Sequence, residues 1–163
     1  MKRKPSIVAV ACGLAFLAPS ISESEPNKTA LGALGTVLGA AEEAMAVMNH
    51  CRAVDPDNME IYDGLGLRLL TLYTPYYEAA DRILPGEGIK SGFPDGQRFR
   101  GAFLVNLRNL AQTEVKDLSA TFTPAQDLAT CRTQRDDFQK QRGLFAPPST
   151  RFSAEVRIID GWH

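Results

Sequence analysis

Three cysteines and two histidines bear most directly on chemistry here: Cys12, Cys51 and Cys131, with His50 and His163. Cys12 sits in MKRKPSIVAVACGLAFLAPSISESEP, where Lys2, Arg3 and Lys4 precede an apolar run from Ile7 to Ala18 that Pro19 closes. That is the layout of a secretory signal, too short to span a bilayer, which needs roughly 20 residues. Cleavage after Ser20 or Ser22 discards Cys12. Lipid attachment at Cys12 is the rival reading, but it leaves too short a core before the cysteine. The expectation is a cleaved signal over residues 1–22 and a periplasmic or secreted mature chain.

Two cysteines then remain in an oxidising compartment. A Cys51–Cys131 disulfide is the default, and its long loop gives about 4 to 5 kcal/mol in the chain-entropy model. No Cys-x-x-Cys spacing points to a redox-active pair. With both thiols joined, no cluster of three or four zinc ligands remains, so no metal is expected. His50, near the end of a predicted helix, reads as a surface or capping residue.

Tyrosines are the next candidates. Tyr62, Tyr73, Tyr76 and Tyr77, with Arg68 among them, occupy one segment. Broad apolar rings with polar tips suit a binding surface, although simple amphipathic packing is the plainer reading. Lys90, Arg98 and Arg100 are candidate anion-binding cations near a predicted helix start. Other chemistry is poorly served. GEGIKSG lacks a glycine before Lys90 and has no preceding strand, so it is no phosphate loop. Gly64-x-Gly66 lacks the third glycine of a dinucleotide fingerprint, and there is no Gly-x-Ser-x-Gly elbow. Met45, Met48 and Met59 offer sulfur to a haem, but methionines at helical spacing are usually core and there is no Cys-x-x-Cys-His motif. No cofactor is therefore assigned.

These residues need helices to position them. Leu34, Leu38, Ala41, Met45 and Met48 mark one face of a helix over 29–54. Its glycines, Gly32, Gly35 and Gly39, imply a close neighbour or a frayed first half. Asp55-Pro56 reads as the cap and first residue of a second helix, 56–84, kinked or split at Pro75. PGEGIKSGFPDG, residues 85–96, reads as a long loop. A third helix covers 97–118. Thr123 and Gln126 form a capping box for a fourth, which runs to Arg142 with Gly143 as its stop. The tail, RFSAEVRIID, alternates like a strand with no partner strand in sight, and reads as an extended arm over the bundle, with pairing to another chain as the alternative.

The expected fold is all-α: an antiparallel, up-down-up-down four-helix bundle over residues 23–145, with one disulfide and an extended arm over 146–163. The disulfide supports that topology by tying the first and last helices at a common end. Without the leader, 15 basic residues face 19 acidic ones. That balance argues against nucleic acid or anionic membrane as a partner, and no membrane span is expected in the mature form. The functional expectation is an exported, non-catalytic binding protein of the cell envelope, partnered by an envelope protein or by itself. A small-molecule or haem carrier using the interhelical space is the alternative. A hydrolytic enzyme ranks below both.

Overall fold

The computed structural model describes residues 29–162, so the leader 1–22, Cys12 and His163 lie outside the described residues. Those described residues form six α-helices, with no strand among them. They are α1 (Ala30–Val54), α2 (Met59–Lys90), α3 (Gly96–Ser119), α4 (Pro124–Gln139), α5 (Pro148–Arg151) and α6 (Ser153–Asp160). The all-α expectation holds. Six helices, where four were expected, are present among the described residues.

The difference starts with α1, which packs against α2, α3, α4 and α6. A corner helix of a bundle buries one stripe, whereas a central helix must be apolar all round. Beyond the stripe read from sequence, Ala33, Val37, Ala40, Ala44 and Ala46 are buried as well. By length and composition α1 is apolar enough to cross a membrane, yet here other helices cover it. Thr29 caps it by accepting from the Gly32 amide, and the helix runs unbroken from Ala30. It is therefore not frayed.

Neighbours run in alternating senses around this axis. Along α2, Tyr77 meets Glu42 and Asp63 meets Arg52, an antiparallel order. Along α3, Phe103 faces Gly35, Leu107 faces Gly39 and Arg108 meets Glu42, a parallel order. The fourth helix departs from the expected pattern. His50 meets Asp127 and Asp55 meets Arg132, so the pairs advance together, whereas an antiparallel neighbour would reverse them. α4 joins the end of α1 through these contacts and the Cys51–Cys131 disulfide, whose Cα atoms lie 5.1 Å apart.

Helix α2 is a single helix through Pro75 and on past Pro85. Pro75 is exposed, so its ring meets solvent, while Tyr73, Ala79, Ala80, Ile83 and Leu84 hold the inner face against the core. Tertiary burial outweighs the lost hydrogen bond, roughly 3 kcal/mol for an interior proline. The expected loop is mostly helix. Only residues 91–95 separate α2 from α3, and the corner is tight because a Cβ at Gly88 would lie 2.6 Å from Phe99 and one at Gly96 would strike the Pro85 carbonyl. These are the close approaches that Gly35 and Gly39 had suggested for α1. Asp55 gives no side-chain cap, and a short 3-10 turn, Pro56–Asn58, follows it.

The capping box of α4 is present as expected. Its end differs. Gln141 takes the left-handed conformation (φ 52°) one residue after the Lys140 cap, and Gly143 instead opens a 3-10 turn. The extended arm is also corrected. Residues 148–160 form α5 and α6, and Phe152 and Ile159 are buried in the core. A lone strand leaves backbone groups unpaired, and a helix satisfies its own. Phe152, Val156 and Ile159, spaced i, i+4 and i+7, supply the helical pattern that the alternation disguised.

Candidate functional site

Glu42 is the charged residue that the apolar surround of α1 cannot leave alone. It is 5% exposed, and a buried carboxylate requires partners. Tyr77 of α2 donates its hydroxyl to Glu42 at 2.8 Å, and Arg108 of α3 donates from Nε at 3.2 Å and Nη2 at 3.4 Å. Burial, then donation to Glu42, pushes the Tyr77 hydroxyl pKa well up, so Tyr77 remains a donor.

This trio borders an open cleft of about 450 Å³, also lined by Met45, Asn49, Leu70 and Gln112. A second cleft of about 290 Å³ continues along α2, sharing Met45, Asn49 and Leu70 and adding Tyr62, Gly66 and Leu67. A third, of about 160 Å³, continues along α3, sharing Ala46, Asn49 and Gln112. The three form one groove floored by the second half of α1. Its walls are α2 and α3. Leu67 and Leu70 on its α2 side are 66% and 44% exposed, a substantial apolar edge left to water.

Two further polar clusters flank the end of α1. Asp55, 2% exposed, accepts from Asn58 at 3.0 Å and from Tyr62 and Arg132 at 3.3 Å each. Burial pushes its carboxyl pKa up, but the bonds from Asn58 and Arg132, the Arg132 charge and the Tyr62 hydroxyl outweigh this and hold it below the ordinary range. On the other side, His50 Nε2 donates to both carboxylate oxygens of Asp127, at 2.9 and 3.0 Å. Both residues line a small apolar cleft with Cys51, Cys131 and Ser119. The Ser119 hydroxyl donates to the Lys116 carbonyl, which commits its proton within α3.

The sequence candidates are thus dispersed. Tyr77 and Tyr62 both touch the groove, and Tyr62 also serves Asp55. Tyr73 is 1% exposed and its hydroxyl has no partner among the described residues. Burial pushes its pKa up to about 12. Tyr76 is half-buried beside it, ring centroids 6.1 Å apart. Arg68 is exposed and lines none of these clefts. The anion-binding set is differently engaged. Lys90 pairs with Glu87 and Arg100 with Asp81, Arg98 is exposed, and the α3 amides of Gln97 and Arg98 donate to Asp95. Asp95 thus fills the place an anion would take.

Glu42, Asn49, Arg108, Gln112 and Asp127 were not anticipated. One signal existed: a Glu-Glu pair inside an otherwise apolar helix demands a buried partner or a turn toward solvent. The partners themselves lie 35 and 66 residues away and carry no local mark. Compared with known proteins, the chain matches no family model, no curated protein and no solved structure.

Proposed function

We propose that this is an exported, non-catalytic binding protein of the cell envelope that receives a helical segment of a protein partner in the groove over α1. The carrying observation is the continuity of the three clefts through Met45, Asn49 and Leu70 on one side and Ala46 and Gln112 on the other. From Tyr62 to Tyr77 the α2 wall is about 22 Å long at 1.5 Å per residue, room for four helical turns. An open trough with an apolar edge and polar floor is how amphipathic helices are received, the leucines giving area and the polar groups register. Export is supported by the disulfide, which persists in oxidising compartments.

A photo-crosslinking residue placed at Leu67 tests this in the native envelope, with one at Leu110 as control. Leu110 is 61% exposed but lines none of the groove's clefts. The expected result is a discrete adduct from position 67 that disappears when Leu70→Glu is added. Equal labelling from both positions, or none from either, overturns the reading. An adduct with a second copy of the chain would identify self-association as the interaction.

A small-molecule carrier is the second reading, favoured by the 450 Å³ cleft at Glu42, Tyr77 and Arg108, within the size range of ligand pockets. Mass spectrometry of solvent extracts from native protein tests it. An extract without a stoichiometric ligand removes the carrier while leaving the protein partner standing.

A further inference from the structure

We infer that opening the Cys51–Cys131 bond creates a four-ligand site for zinc, or a similar borderline-soft divalent cation, from Cys51, Cys131, His50 and Asp127. The donors come in pairs from two helices, His50 and Cys51 from the end of α1, Asp127 and Cys131 from α4. Asp127 and Cys131 are four apart, so one helical face presents both. The ligand atoms of His50, Asp127 and Cys131 already lie within 4.8 Å of one another, and Cys51 is bonded to Cys131.

Zinc bonds of about 2.0 to 2.3 Å place tetrahedral ligand atoms roughly 3.3 to 3.8 Å apart. The imidazole nitrogen and carboxylate oxygens are within a few tenths of an ångström of that spacing. The sulfurs, once released, must part by about 1.7 Å. Two thiolates, an imidazole and a carboxylate make a donor set that zinc accepts, whereas a hard cation such as magnesium prefers oxygen alone. Both cysteines are 1% exposed, but the side chains of His50 and Asp127 are 26% and 17% exposed and give the cation its approach.

The redox step balances with a dithiol reductant. It gives two electrons and two protons, the sulfur–sulfur bond breaks, two thiols form and the reductant becomes a disulfide. Binding of the cation then displaces both thiol protons to water, and the His50 ring proton moves by way of solvent from Nε2 to Nδ1, which frees Nε2 to ligate. One covalent link between α1 and α4 is thereby exchanged for one coordinate link between the same helices.

Cobalt(II) titration of the phosphine-reduced full chain tests this, alongside the oxidised protein and the His50→Ala and Asp127→Asn variants. The expected result is one equivalent bound, with thiolate charge-transfer bands and the intense visible bands of tetrahedral cobalt, and none for oxidised protein. Either variant should weaken binding by at least about tenfold. Helical circular dichroism is followed in parallel. Reduced protein that binds no more cobalt than oxidised protein, variants that bind like the wild type, or reduced chain that loses its helices without regaining them on zinc addition would each overturn the inference.

Discussion

The Tyr77 hydroxyl and the Glu42 carboxylate meet at 2.8 Å between α1 and α2, with Arg108 closing the third side from α3. Three helices therefore converge on one buried oxygen pair. Tyr77→Phe keeps the ring and removes the donor, leaving Glu42 to Arg108 alone. The expected loss is about 1 to 3 kcal/mol, because an acceptor remains buried with one bond fewer. Urea unfolding measures it. A variant as stable as the wild type would mean that Arg108 satisfies Glu42 unaided.

Tyr73 invites the opposite result from the same chemical change. Its hydroxyl is buried without a partner, so the folded state carries a desolvation cost that the ring does not need. Tyr73→Phe should stabilise by about 1 kcal/mol or more. Destabilisation would reveal a bound water serving the hydroxyl.

Glycine positions separate α1, where a close approach was expected, from the α2–α3 corner, where one is found. A Cβ at Gly35 would lie 3.7 Å from Phe103 and one at Gly39 3.9 Å from Leu107, both ordinary contacts. Alanine there should stabilise α1 by up to about 1 kcal/mol per site through helix propensity. At Gly96 the added carbon collides with the Pro85 backbone, and at Gly88 with the Phe99 side chain. Alanine at either should cost about 1 to 3 kcal/mol. Thermal melts of the four variants decide it, and similar effects at all four would refute the distinction.

What the sequence disclosed was what local rules govern. The Thr29-to-Val54 helix, the Thr123–Gln126 capping box and the Cys51–Cys131 pair all followed from spacing and chemistry and are all present. What it hid was set by tertiary neighbours. Ala33, Ala40 and Ala44 are too small to mark a face, so the burial of α1 beyond its one apolar stripe was not visible. PGEGIKSGFPDG looked like a loop because glycine also serves close packing, as at Gly88 and Gly96. Of the groove, Tyr62 and Tyr77 were legible as aromatic tips. Glu42 and Arg108, 66 residues apart, meet only because α1 and α3 lie side by side.

Two carboxylates with opposite shifts give stability an acid-range signature. Asp55 titrates below its ordinary range in the fold, since its hydrogen bonds and the Arg132 charge outweigh burial. Its contribution is therefore complete above the unfolded value, about 3.9, and is lost as pH falls through the lower folded value. Glu43 is shifted the other way, by burial and by the Glu114 charge, against the pull of Arg151. Its charged form is disfavoured, so the wild type carries a cost at neutral pH that fades as pH falls through the raised folded value toward 4.5. Asp55→Asn should lower the melting temperature at pH 7, with the deficit shrinking below about pH 4. Glu43→Gln should raise it at pH 7, with the gain vanishing as pH falls toward 4.5, above the range in which the Asp55→Asn deficit shrinks. Melting curves from pH 3 to 8 check both, and a deficit for Asp55→Asn that stays constant down to pH 3 would show that the packing and hydrogen bonds of the Asp55 side chain, not its charge, are the source of the stability.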